Sequence, residues 1–361
     1  MLTLHYTLSF NTPAFLGNAE QQAQWRTPPI KALLRQWWRV VQASTLAHPY
    51  DLGAMRRDEG ELFGVAADRQ GESSQSWVRL RLAHWDAGTL DQARWPRKEI
   101  RDLPVGPGRS VPADVYIGLG PVLAASKKEN RPQPMLGRTA IAPDTGNELW
   151  LSLDRRMASS QRAELAAALS LCQWFGTVGS RSRNGWGSLT LAGDDIGGMP
   201  TSAAIQPYLR PLRECFDTDW PHAIGADCDG PLVWTGRAVK NWREAVLSLA
   251  QIRLAVRTAA KKIGRNHDIS ANQLIAYPVM QSANSAWGTQ ERFASPLRLK
   301  VHKTPAGLVP LAVHLPCALP AVLFGKLDSS DQRWVRDNQL AVWQAAHQEL
   351  DQRYPRMGAS A

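Results

Sequence analysis

The chain has 361 residues, 44% of them hydrophobic, enough for two domains of ordinary size with buried cores, and describes a folded globular protein. Basic residues exceed acidic ones to leave a formal charge of +10, and because the excess is spread over both halves it suits a polyanion lying along a track better than one basic tail. Cys172, Cys215, Cys228 and Cys317 are far apart, which excludes a zinc ribbon and a dense disulfide framework, and no run of about 18 apolar residues offers a membrane span.

Leu2, Leu4, Tyr6, Leu8 and Phe10 alternate with polar residues, the period of a strand with one buried face. No basic leader precedes this strand, so the expectation is a cytoplasmic protein with reduced thiols and no membrane partner. Thr27 is expected to cap a helix entered through Pro28 and Pro29 and running to about Leu46, with Ile30, Leu33, Leu34, Trp37 and Val41 as its apolar side. Lys31, Arg35 and Arg39 recur at four-residue spacing on another side, beside Trp38 and preceded by Arg26, with no carboxylate at i±4. This ridge reads either as a polyanion contact or as a solvated helix face.

The polar stretch from His48 to Ser76 holds Glu61 to Gly64 as a hydrophobic anchor for a short helix. Trp77 to Trp85 reads as a second strand with Arg79 and Arg81 on its outer face, and Asp86 to Val111, broken by prolines and glycines, as an irregular excursion. Asp114 to Leu119 looks like a third strand. The connection from Gly120 to Gly146, carrying Lys127, Lys128, Arg131 and Arg138, is long enough to suggest an RNA-contacting insertion, with disorder as its alternative. Glu148 to Leu153 is a strand continuing the third or paired with it, and Ser159 or Ser160 caps a helix ending at Phe175 with Gly176 in the C′ position.

The stretch that follows, Gly179-Ser180-Arg181-Ser182-Arg183-Asn184-Gly185-Trp186-Gly187-Ser188, is dense in glycine. Its glycines allow positive φ and close backbone approach, its serines add hydroxyls, and its arginines add forked donors suited to phosphate oxygens. Trp186 could offer a stacking platform for a base. No Gly-Lys-Ser/Thr follows, which sets the loop apart from a nucleotide-triphosphatase P-loop. A connection that merely turns the chain is the plain alternative. Trp186 to Leu191 closes the unit as a strand, giving β-α-β-β-α-β, the ferredoxin-like order of many RNA-carrying sheets.

Gly193 to Pro231 reads as an irregular inter-domain connection. Arg237 to Lys262 is the next amphipathic helix, with a basic tail that suits its own dipole. Leu297 to Lys303 and Gly307 to Leu315 form a hairpin, and a last helix runs from Ser329 to Leu350. The expected class is therefore α+β, with two ferredoxin-like (RRM-like) domains over 1-200 and 201-361, the second degenerate.

Pro28 to Arg39, the loop at 179 to 188 and the stretch from Arg292 to Val301 together resemble the repeat-associated mysterious protein (RAMP) superfamily of CRISPR systems. More narrowly they are similar to the first-numbered Cmr subunit of type III-B effector complexes. The resemblance implies a non-catalytic subunit of an antiviral ribonucleoprotein, at its head near the 3′ end of the guide RNA (crRNA), where it helps capture complementary target RNA beside other RAMP subunits. Its implied RNA contacts are Lys31, Arg35, Arg39 and Gly179 to Gly187, with Arg298 and Lys300 as further candidates and Arg26 and Trp38 beside the ridge. Phe175 to Val178 departs from the glycine-richer approach of many relatives.

RAMP relatives that process guide RNA use a histidine, tyrosine or lysine as general acid and base, so a guide-processing endoribonuclease is the alternative. His5 and His48 are isolated in sequence, His267-Asp268 lacks the further partners of an HD-type metal site, and the Asp217/Asp219 and Asp227/Asp229 pairs fall in the connecting segment, where such residues usually make turns. No catalytic residue, metal or cofactor is assigned. A basic RNA binder outside CRISPR systems is the remaining class.

Overall fold

The computed structural model describes residues 2–66, 73–193, 196–279 and 284–358. Parts of two stretches read above, 67–72 and 194–195, lie outside the described residues. The fold is α+β. Among the described residues no helix is long and apolar enough to cross a membrane.

Strand β1 (Leu2–Phe10) alternates as expected, burying Tyr6, Leu8 and Phe10. Helix α1 (Thr27–Thr45) carries prolines in its first turn, but the capping residue is Arg26 and not Thr27, and Arg26 makes no side-chain cap bond. Helix α2 (Leu52–Phe63) presses Leu62 and Phe63 into the core, and β2 (Val78–Leu82), β3 (Gly146–Leu153), α3 (Ser159–Phe175) and β4 (Leu189–Ala192) complete the first layer. The sheet runs β2-β3-β1-β4, antiparallel throughout, with Tyr6 opposite Leu149 and Phe10 opposite Leu189. Helices α1 and α3 pack together, the Trp37 and Phe175 rings 5.7 Å apart.

Three local expectations are corrected. Asp114 to Leu119 is not a strand: Ala113–Gly118 is a short helix that buries Ala113 and Ile117 one turn apart and Asp114 under the Trp95 indole N–H at 3.0 Å. Hence β3 pairs with β1 and β2 instead of continuing a third strand. The α3 cap is Ala158, whose N–H is held by the Gln161 side chain, and Gly176 is extended, needed for close approach because a Cβ there would stand 2.3 Å from the Cys172 carbonyl. The excursion from 86 to 111 holds a hairpin, Asp102–Gly106 with Arg109–Pro112, and the 120–146 connection is pinned by buried Val122, Leu136, Ala140 and Ile141.

The connection after β4 also has structure, since Leu209–Pro211 and Ile224–Asp227 pair in parallel. Beyond it lie β5 (Val233–Thr235), α4 (Trp242–Lys261), β6 (Leu297–Thr304), β7 (Gly307–His314) and α5 (Ser329–Asp351). The second sheet runs β5-β7-β6, and the chain after α5 returns to bridge Trp234 through Arg356, with Met357 N–H donating to Val233 at 2.9 Å. Counting that bridge as a fourth strand, the second half repeats the order of the first, with its last strand cut to one rung.

Candidate nucleic-acid interface

The glycine loop is closed at its neck and built on buried partners. Thr177 bridges Ser188, Val178 N–H donates to Gly187 at 3.0 Å, and Gly187 N–H donates to Pro13 at 2.9 Å. Gly187 has φ of 63°, and a Cβ there would lie 2.0 Å from the Val178 carbonyl oxygen, so only glycine fits. Gly179 and Gly185 also take positive φ, as does Arg181, a side-chain-bearing residue in the left-handed region. Asn184 is buried and its amide donates to the Ile117 carbonyl at 2.6 Å. Ser180 is tied by its N–H to Phe15 at 3.0 Å.

Between this loop and α1 lies a cleft of about 560 Å³, with Arg35, Gln36 and Arg39 on one wall and Thr177, Gly179 and Ser182 on the other. Two groups separated by some 140 residues in sequence are thus brought to one opening. The Ser182 hydroxyl engages no described residue. Arg35 and Arg39 share one carboxylate, Glu59 of α2, with Nε to oxygen distances of 2.8 and 2.6 Å. Burial works against ionising Glu59, and the bonds from Arg39 and Arg35 outweigh it, holding the carboxyl below its usual range. Two guanidinium groups against one carboxylate leave the wall positive. The i±4 rule looked only within α1 and missed a partner supplied by another helix.

Other sequence candidates serve the fold. Trp38 and Trp186 are each 0% exposed, a correction to their reading as base-contacting rings: Trp38 Nε1 donates to Glu164 at 3.1 Å, and Trp186 packs among Phe15, Trp95 and Trp242. Lys300 is also fully buried, its Nζ donating to the carbonyls of Gln173, Gly176 and Leu189 at 2.7, 2.9 and 2.6 Å, with burial pushing its pKa down to about 7. Arg298, 4% exposed, donates to Gln36 Oε1 at 2.9 Å and lies 5.0 Å over the Trp37 ring. Neither side chain can reach a strand at the surface, though Arg298 adds positive charge behind the cleft wall. Lys31 donates to Ser76 Oγ at 2.7 Å, and burial, then the charge of Arg35, lowers its pKa. Arg26 holds the Gly17 carbonyl at 2.7 Å and does not line the cleft.

The loop arginines part company. Arg183 Nη1 donates to the carbonyls of Ala294 and Ser295, both at 2.8 Å, tying the loop to the segment before β6. Arg181 is exposed and its Nε donates to the Leu119 carbonyl at 2.6 Å.

Of the residues weighed for catalysis, His5 Nε2 lies 2.6 Å from Glu148 and its ring stacks on Trp150, while His48, Asp217 and Asp219 line a separate groove of about 840 Å³ with Tyr50 and Trp220. Asp219 there accepts the Ala321 N–H at 2.9 Å. Among the described residues, Asp227, Cys228 and Asp229 bring ligand atoms within 4.8 Å of one another, but Asp227 is already paired with Arg356, 3.0 Å from its Nη2.

No protein-family model and no curated protein sequence matches this chain. Solved structures similar to it include Cmr1 from Pyrococcus furiosus in the apo form, at 14% identity over 88% of each chain with a TM-score of 0.47. A chain of the type III-B Cmr-beta complex bound to cognate target RNA is similar at 13% identity, covering 96% of this chain and 99% of that one, with a TM-score of 0.44. A chain of the same complex with target RNA and AMPPnP has 11% identity, coverage of 98% and 99%, and a TM-score of 0.47.

Proposed function

We propose that this chain is a non-catalytic RNA-binding subunit of a type III-B CRISPR effector, placed at its head near the guide 3′ end, where it helps capture complementary target RNA. The observation that carries the reading is the cleft that sets Arg35 and Arg39 of α1 against the backbone and hydroxyls of the glycine loop. Positive side chains facing a narrow, hydroxyl-bearing backbone suit a ribose-phosphate strand, whose affinity comes from neutralising phosphates. The motifs at residues 28 to 39 and 179 to 188 support the same assignment. We further read the two halves, dividing near residue 200, as ferredoxin-like domains, since each follows β-α-β-β-α-β and the second keeps only one rung of its last strand.

Binding of a labelled single-stranded RNA to the full chain tests this reading. Replacing Arg35 and Arg39 by Ala is expected to weaken binding on the order of tenfold and to flatten its salt dependence by about one phosphate contact per arginine. Unchanged affinity and slope would remove the cleft from the RNA path. Recovery from its host with one short RNA of defined 5′ end and other RAMP chains supports the effector role, whereas mixed RNA assigns a general binder. Clean single-site cutting of a guide precursor by the isolated chain, with or without Mg²⁺, would overturn the non-catalytic reading.

A further inference from the structure

On the far side of the glycine loop, three segments distant in sequence meet around its crown. Arg181 reaches the Leu119 carbonyl, Asn184 reaches the Ile117 carbonyl and accepts a hydrogen bond from Arg253 of α4, and Arg183 grips Ala294 and Ser295, two and three residues past Arg292. Arg257 follows Arg253 by one turn of α4. The oxygens that hold these guanidinium groups are neutral: a carbonyl for Arg181, the Asn184 amide for Arg253, and the Thr289 and Glu291 carbonyls for Arg292 at 2.5 and 2.7 Å.

Among the described residues Arg181, Arg253, Arg257 and Arg292 form no ion pair, which separates them from Arg35 and Arg39, which share Glu59, and from Arg243, which pairs with Glu99. The buried Arg253 Nε has no hydrogen-bond partner among the described residues. Burial, then the charge of Arg257, lowers the Arg253 pKa to about 10, and partial burial, then the charge of Arg292, lowers that of Arg181, whose side chain still reaches solvent. Arg181, Arg253 and Arg292 are oriented by neutral oxygens, and Arg257 adds its charge beside Arg253. A cluster of positive charge with no carboxylate paired to it is a preorganised anion site, because its repulsion is relieved by a negative group.

We propose that Arg181, Arg253, Arg257 and Arg292 bind backbone phosphates of the same single-stranded RNA that enters the cleft, so that the strand crosses the glycine loop onto the second half of the molecule. This rests on the RNA-binding reading above. Continuity favours RNA over an acidic protein: Ser182 lines the cleft while its neighbours Arg181 and Arg183 turn to the other side, so one short crown separates the two sites.

The test measures binding of fluorescent oligouridine to the full chain between about 50 and 200 mM salt. Three proteins are compared: wild type, the Arg257→Ala/Arg292→Ala variant and the Arg35→Ala/Arg39→Ala variant. Loss of two phosphate contacts at the patch is expected to reduce the salt slope by about 1.4 and the affinity about tenfold, with an unchanged melting temperature. Arg257→Lys/Arg292→Lys should restore the slope. If the cleft variant binds poorly while the patch variant keeps wild-type affinity and slope, the patch proposal falls and the cleft reading stands. If neither variant weakens binding, the RNA reading itself fails. A patch variant that loses capture of polyglutamate but keeps oligouridine assigns the surface to an acidic protein and overturns the proposal.

Discussion

Lys300 Nζ donates to the Gly176 carbonyl oxygen at 2.9 Å, so a strand of the second half plugs the C-terminal end of a helix of the first. The last carbonyls of α3 have no partner within the helix, and an ammonium there satisfies them while complementing the negative end of the helix dipole. Lys300→Met would fill the space and take their ammonium donor from the Gln173 and Leu189 carbonyls, while those of Cys172 and Gly176 keep the Gly176 and Leu189 N–H groups. The expected cost is about 3 kcal/mol of stability, read as a lower urea midpoint. A variant as stable as wild type would mean that the carbonyls find other donors.

Arg181 and Arg183 are expected to give opposite phenotypes. Arg183→Ala removes two charge-assisted bonds to Ala294 and Ser295 and should cost about 2 to 3 kcal/mol. Arg181→Ala, at an exposed guanidinium, should change stability by less than about 1 kcal/mol while weakening RNA binding. Thermal melts beside salt-dependent binding separate the two. Equal destabilisation would show that the loop is held by both arginines alike.

Legibility followed how local each cause was. The alternation of Leu2 to Phe10 and the Pro-entered stripe of α1 are written in neighbouring residues, and both elements form within a residue or two of expectation. The density of glycine in the loop signalled close backbone approach, which Gly187 against Val178 bears out. What escaped was set by distant partners. Asp114 to Leu119 has the β-branched and aromatic look of a strand, yet Trp95, 19 residues earlier, buries the Asp114 carboxyl against a helical turn. Arg298, Lys300 and His302 alternate with Leu297, Leu299 and Val301 like the wet face of an edge strand. Both faces of β6 are covered, and its polar side chains meet Gln36, the end of α3 and the Trp174 carbonyl, forming a seam between the halves.

Glu59 sets the charge of the cleft wall. Glu59→Gln keeps an acceptor for Arg35 and Arg39 but removes the negative charge they share. Stability should fall by about 1 to 3 kcal/mol, since hydrogen bonds between charged groups become charge-to-neutral ones in a buried place. RNA affinity should rise about two- to threefold at low salt and converge with wild type as salt screens the added charge. Weaker RNA binding by a folded variant would argue that Glu59 orients the arginines more than it neutralises them.

Acid sensitivity should come from the buried histidines. His302 and His347 have pKa values lowered to about 3 by burial, with the charge of Lys300 adding to the first and that of Arg356 to the second; burial, then the neighbouring His347, also holds His314 well below the usual histidine value. His302 Nε2 donates to the Trp174 carbonyl at 2.5 Å, and His314 Nδ1 shares a hydrogen with His347 Nε2 at 2.9 Å, both contacts made by neutral rings. Between pH 6.5 and 3 the unfolded chain therefore binds more protons at these sites than the folded one, so stability rises with pH and is lost as pH falls below 6.5. Each histidine contributes up to about 1.4 kcal/mol per pH unit in that window. His302→Gln keeps a donor for Trp174 and cannot titrate. Urea unfolding from pH 7.5 down to the acid limit should show a slope for this variant shallower by about one proton, and an unchanged slope would mean that His302 already takes up its proton in the folded state.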